Sequence, residues 1–121
     1  MGRTVLIVED YEDSRLFMKF LLESYGYEVI EATDGLKAVE SIKCHCPDLI
    51  LMDISMPVMD GITATKAIRS SDEGGAVPII AVTAHGRQLE EKARDAGCND
   101  FIEKPIDFDE FETVVHHYLD D

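Results

Sequence analysis

The sequence predicts an α/β fold: a doubly wound, five-stranded parallel sheet with five helices on its two faces. Three observations carry this expectation. Short runs rich in aliphatic and β-branched residues alternate along the chain with segments whose apolar residues recur at helical spacing. The run Leu49 to Asp53 (LILMD) is apolar without alternation until its last residue, the pattern of a strand buried on both faces. Carboxylates, a threonine and a lysine stand where these runs end, and open α/β sheets bind their ligands outside the carboxyl ends of the strands.

The elements follow in order. Thr4 to Val8 (TVLIV) is the first strand. Asp13 or Ser14 can cap the first helix, whose apolar positions are Leu16, Phe17, Phe20 and Leu21. Gly26 suits the left-handed position after it. Glu28 to Ala32 (EVIEA) is the second strand. Asp34 can cap a second helix with Ala38, Val39 and Ile42 on its apolar side, and Pro47 precedes the third strand, Leu49 to Met52, which ends at Asp53. Gly61 opens a third helix with Ala64, Ala67 and Ile68 on one side. Ser70 to Gly75 (SSDEGG) is a loop. Val77 to Val82 (VPIIAV) is the fourth strand, with Pro78 tolerable near its start. Leu89 to Ala96 is a short charged helix stopped by Gly97, and Phe101 to Glu103 is the fifth strand. Asp107 and Glu110 form a D-x-x-E resembling a capping box for the last helix, which places Phe108, Phe111, Val115 and Tyr118 on its apolar side.

With 121 residues, 45% of them hydrophobic, the chain is expected to form one globular domain, residues 1–121, without an output domain. No apolar run is long enough to span a bilayer, and Glu9 and Asp10 interrupt the only N-terminal apolar run, so membrane insertion and export are not expected and the cytoplasm is the default. A net charge of −14 without a basic patch excludes a nucleic-acid surface and suits solubility, for which most of the charge suffices, or basic protein partners. Cys44, Cys46 and Cys98 read as reduced thiols. Cys44-His45-Cys46 lacks zinc-site spacing and reads as the end of a helix. His116 and His117 are expected to face solvent.

The first strand ends at Glu9 and Asp10, the third at Asp53 and the fourth at Thr83; Lys104-Pro105 follows the fifth. These groups converge only if the first and third strands are neighbours, as in a 2-1-3-4-5 order. Each pair of like charges about 4 Å apart then costs about 4 kcal/mol at an effective dielectric near 20. Such a cluster calls for a cation, and all-oxygen ligands in a small pocket suit Mg2+. Lys104 offers a charge to Asp53 or to a phosphoryl oxygen, and Thr83 offers a hydroxyl. A carboxylate nucleophile, a metal, a lysine and a hydroxyl donor together make a site that handles phosphoryl groups.

Glu9-Asp10, Asp53 within MDISMPVMDG, Thr83-Ala84 and Lys104-Pro105, in this order and spacing, resemble the receiver domain of two-component response regulators over nearly the whole chain. The resemblance implies a flavodoxin-like sheet in the 2-1-3-4-5 order. It implies that Asp53 accepts a phosphoryl group from a phosphohistidine of a histidine kinase or histidine phosphotransfer protein. Asp10, Asp53 and the backbone carbonyl of Ser55 would hold Mg2+, with Mn2+ able to substitute, and Glu9 would act through a metal-bound water. Lys104 would contact the phosphoryl oxygens, and Thr83 and the Ala84 amide would hold the group after transfer. Met56-Pro57 and Gly61 would shape the loop after Asp53, and the Lys104–Pro105 bond would be cis. Phe101 falls at the aromatic switch position, where many members carry Tyr; Phe lacks the hydrogen-bonding tip. Thr83 and Phe101 would remodel the face made by the fourth helix, fifth strand and fifth helix to control a downstream effector.

Such a protein is a switch that promotes its own phosphorylation and dephosphorylation, not a multiple-turnover enzyme. Ser55 and His85 fall at the family's dephosphorylation-tuning positions; Ser55 leaves space for water, and His85 either shields the site or positions that water. The chain resembles both a stand-alone receiver and one cut from a hybrid kinase, and its ends favour the first. A haloacid-dehalogenase-type phosphatase needs a second Asp two residues after the nucleophile, where Ser55 stands. A pseudo-receiver usually lacks an acidic residue, the Thr or the Lys, all of which are present here.

Overall fold

A computed structural model describes residues 2–54, 60–84 and 89–120. Five strands, β1 (Thr4–Val8), β2 (Glu28–Ala32), β3 (Leu49–Asp53), β4 (Ile79–Thr83) and β5 (Asp100–Glu103), alternate with α1 (Glu12–Ser24), α2 (Gly35–Cys44), α3 (Gly61–Ser70), α4 (Glu90–Ala96) and α5 (Phe108–Leu119). All strand pairs are parallel, in the order β2-β1-β3-β4-β5. The flavodoxin-like topology expected from the sequence is therefore present.

Alternation along the strands splits the core into two layers. Leu6, Val8, Ile50, Met52, Ile79 and Ala81 face Ala38 and Ile42 of α2, Ala64 and Ile68 of α3 and Ala93 of α4. Val5, Ile7, Leu49, Leu51, Ile80, Val82 and Ile102 face Met18, Leu21 and Leu22 of α1 and Phe111, Val115 and Leu119 of α5. β3 and β4 are buried at every position because helices cover both faces.

Local signals set the element ends. The side chain of Asp34 accepts a hydrogen bond from Lys37 N at 2.8 Å, and that of Asp107 from Glu110 N at 2.9 Å. Asp60, which the sequence reading passed over, caps α3 in the same way through Thr63 N at 2.8 Å. Gly26 and Gly97 take positive φ at the ends of α1 and α4. At the edge of the sheet where β4 and β5 begin, the Arg69 guanidinium donates to the carbonyls of Gly74, Val77 and Gly97 and to Asn99 Oδ1.

Several expectations need correction. Neither Asp13 nor Ser14 caps α1: the helix starts at Glu12, behind Tyr11, without a side-chain cap. Its buried stripe is Met18, Leu21 and Leu22, while Leu16, Phe17 and Phe20 are exposed. Phe108, at the first turn of α5, overhangs the core at 59% exposure and meets Phe17, ring centroids 5.5 Å apart. β4 begins at Ile79, because Pro78 has no N–H for the ladder and contributes only its carbonyl, which accepts from Ile50 N at 3.0 Å. β5 starts one residue earlier than expected, at Asp100, and Leu89 precedes α4 as its cap. His116 is not a free surface group: its Nδ1 lies 2.7 Å from Tyr27 Oη and also against Asp120, and its Nε2 lies 3.5 Å from Glu112. His117 is exposed, as expected. The Cys44, Cys46 and Cys98 thiols are free.

Candidate functional site

Parallel registration brings one edge of the sheet together. Val8 pairs with Met52, Asp53 with Val82 and Thr83 with Glu103. Glu9-Asp10, Asp53, Thr83 and Lys104 therefore leave four adjacent strands at the same edge. Each side chain sits at the end of a strand that the core cannot release, so its backbone is fixed before any ligand arrives.

Glu9, Asp10 and Asp53 each place a carboxylate oxygen within 4.8 Å of the others. Asp10 is exposed, whereas Glu9 is 1% and Asp53 5% exposed. Lys104 Nζ lies 2.7 Å from Glu9 Oε1 and 4.0 Å from Asp53 Oδ2. The ion pair with Asp53 expected from the sequence is therefore present, and the shorter contact, to Glu9, is one the sequence does not signal. The Tyr11 backbone N–H donates to Glu9 Oε2 at 3.2 Å. Burial pushes the Glu9 carboxyl up, but hydrogen bonding with the Asp53 side chain, Lys104 and the Tyr11 amide, together with the lysine's charge, holds it below the usual carboxylate range.

Lys104 is itself anchored: its N–H donates to the Thr83 carbonyl at 2.8 Å, and the Lys104–Pro105 bond is cis. Thr83 is fully buried, and Ala84 beyond it is exposed. Phe101 is half-buried against the layer of α2, α3 and α4. Gly61 lies against the Asp53 carbonyl, and its N–H donates to the Ile54 carbonyl at 3.4 Å. Ser55, Met56, Pro57 and His85 lie outside the described residues.

A second feature borders the site. A pocket of about 320 Å³ is lined by Ser14, Phe17, Lys104, Pro105 and Ile106. Tyr11, Leu16, Phe17, Phe20 and Phe108 are exposed on α1, at its entry and at the start of α5. Helical spacing singles out Leu16, Phe17, Phe20 and Phe108 in the sequence, but as core positions, and it gives no signal for Tyr11.

The chain matches the response regulator receiver domain family over residues 5–116. It is 41% identical over 122 residues to the polar-differentiation response regulator DivK of Brucella anthropi, covering 100% of this chain and 99% of that protein. The receiver domain of the sensor histidine kinase PA1611 from Pseudomonas aeruginosa, solved with a magnesium ion in its active-site cleft, superposes with a TM-score of 0.93 at 37% identity over 100% of both chains. Chemotaxis protein CheY4 of Vibrio cholerae superposes with a TM-score of 0.91 at 26% identity, covering 98% of this chain and 99% of that one. Fold, site chemistry and relatives agree, and the chain belongs to the response regulator receiver domain family of two-component signalling.

Proposed function

We propose that this receiver is a phosphorylation-activated switch in which Asp53 is the phosphoacceptor, with a phosphohistidine of a histidine kinase or histidine phosphotransfer protein as donor. The observation that carries this reading is a nearly buried Asp53 carboxylate held beside Glu9, Asp10 and Lys104 at the exit of the central strand. An Asp53 carboxylate oxygen attacks the phosphorus. The P–N bond to the donor imidazole breaks, its electron pair stays on the ring nitrogen, and an acyl phosphate forms on Asp53. Attack by water on that phosphorus releases inorganic phosphate and restores the carboxylate.

The oxygen-only donor set, part buried and part open to water, fits Mg2+, with Mn2+ as a substitute. Asp10 and Asp53 would hold the ion with the Ser55 carbonyl, and Glu9 would reach it through water. A cation there offsets carboxylate and phosphoryl charge. Lys104 exchanges part of its Glu9 contact for the phosphoryl oxygens, and the Thr83 hydroxyl and Ala84 amide hold the group after transfer. Ser55 and His85 govern access of the hydrolytic water. The apolar rim of Tyr11, Phe17, Phe20 and Phe108 seats the protein donor. Thr83 and Phe101 carry the change to the face of α4, β5 and α5, which controls an effector.

Acetyl phosphate with Mg2+ tests the acceptor. Intact-protein mass spectrometry should show one hydroxylamine-labile phosphoryl group on the wild type and none on Asp53→Asn. Equal labelling of both proteins removes Asp53 from this role. Similarity to DivK favours a free-standing regulator, and similarity to the PA1611 receiver favours part of a larger kinase; the mass of the native polypeptide separates the two.

A further inference from the structure

The surfaces on either side of Lys104 differ in chemistry. Towards α1 the rim is apolar. Towards α4 and α5, over β5, lies a groove of about 340 Å³ lined by Glu90, Phe101, Glu103, Lys104, Pro105 and Glu110. Three carboxylates there face one ammonium, and that ammonium is 2.7 Å from Glu9. Glu90 pairs with Arg94 at 3.2 Å. Among the described residues, the carboxylates of Glu103 and Glu110 have neither an ion pair nor a hydrogen bond. The acidic character continues along α4, where a second cleft is lined by Glu90, Glu91, Arg94 and Asp95. Phe101 and Pro105 contribute apolar surface to the groove.

We infer that this groove seats a basic segment of the effector, with arginine or lysine side chains flanking one apolar residue that lies over Phe101 and Pro105. The inference rests on the proposed output role of the α4–β5–α5 face and specifies the partner's chemistry. Charge complementarity selects the occupant: the unpaired Glu103 and Glu110 carboxylates offer acceptors that match the guanidinium fork. Nucleic acid is repelled by the groove and by the net charge of −14. Because Phe101 lines the groove, a segment seated there senses its position, and groove occupancy and Asp53 phosphorylation then favour each other reciprocally.

A fluorescein-labelled peptide of alternating arginine and leucine, its glutamate-for-arginine counterpart and two double variants test this. Glu103→Gln/Glu110→Gln neutralises the groove. Asp72→Asn/Glu73→Gln removes the same charge from the exposed loop after α3, near the opposite edge of the sheet. Two exposed ion pairs together make the groove variant bind the arginine peptide roughly five- to tenfold more weakly, by fluorescence polarisation. The remote variant should lose less than about twofold, since only long-range, salt-screened attraction is removed. Amide shifts induced by the peptide should fall within residues 90–110. Equal weakening of both variants, equal binding of the glutamate peptide or shifts confined to α1 would each overturn the inference. Acetyl phosphate labelling of the same proteins keeps the two readings apart. Groove binding without a label on Asp53 overturns the switch and leaves the groove standing, whereas a labelled Asp53 without groove binding overturns the groove alone.

Discussion

A Cβ at Gly61 would lie 2.4 Å from the Asp53 carbonyl oxygen and 2.5 Å from Ile54 Cα. Both neighbours are backbone, at the last residue of β3 and the one after it, so neither can swing aside. Gly61→Ala should cost about 1–3 kcal/mol of stability, measured by thermal melting, as overpacking does. It should also slow labelling by acetyl phosphate roughly tenfold or more, because Asp53 itself is displaced. The Lys104–Glu9 pair makes a second test. Glu9 is held below the ordinary carboxyl range, so its contribution to stability is present above the unfolded carboxyl value and is lost as pH falls through the folded one. Lys104→Met removes two of the causes of that depression. In metal-free buffer, its urea midpoint should fall less steeply than the wild type's between about pH 7 and about pH 3. An unchanged slope would mean that the lysine does not hold the Glu9 charge.

The first helix carries a buried and an exposed apolar residue within one turn. Leu22 is fully buried and Phe20 is 69% exposed. Leu22→Ala should cost about 2–5 kcal/mol. Phe20→Ala should leave stability within about 0.5 kcal/mol, yet slow transfer from a histidine-phosphorylated protein while leaving acetyl phosphate labelling unchanged. Loss with both donors would place Phe20 in the chemistry instead of the docking. The last helix is tied back to the entry of β2 by Tyr27, the residue before that strand, whose Oη lies 2.7 Å from His116 Nδ1 and donates to Asp120 Oδ1 at 2.8 Å. Burial, with the Asp120 hydrogen bond and charge, pushes the Tyr27 hydroxyl from 10.0 up to about 12. The protonated form belongs to the fold, so this tie stabilises fully below the unfolded value and fades as pH rises through the folded one. Tyr27→Phe should lose about 0.5–1.5 kcal/mol near neutrality and decline less steeply in alkali, read from urea midpoints above about pH 9.

The assembled molecule gathers carboxylates that the unfolded chain keeps apart, so a cation that binds the site should stabilise the fold. Ten times its Kd of free Mg2+ adds about 1.4 kcal/mol by linkage, a rise of roughly 3–6 °C in Tm for a domain of this size. Asp10→Asn removes one negative charge and one ligand together. It should melt above the wild type without Mg2+ and respond little when Mg2+ is added. Melts at matched ionic strength in NaCl separate site binding from screening of the −14 charge. An Mg2+ shift that NaCl reproduces, or one that Asp10→Asn retains, would move the metal away from these residues.

Strand identity and part of the helix punctuation were legible residue by residue. Apolar runs such as TVLIV and LILMD, the caps at Asp34 and Asp107 and the stops at Gly26 and Gly97 act within a few residues, and local sterics and hydrogen bonding suffice for them. The order and spacing of Glu9-Asp10, Asp53, Thr83 and Lys104 also pointed to the site, since a parallel sheet gathers strand ends at one edge. The buried stripe of α1 was not legible. Leu16-Phe17-Phe20 and Met18-Leu21-Leu22 are both apolar at helical spacing, and only the docking of the helix on β1 and β2 turns the second inward. Nor was the Glu9 partner of Lys104, which lies 95 residues from it along the chain. A side-chain pairing across that separation depends on where two strand ends and a loop come to rest. Packing of the whole sheet sets those positions, and no pattern within either segment encodes them.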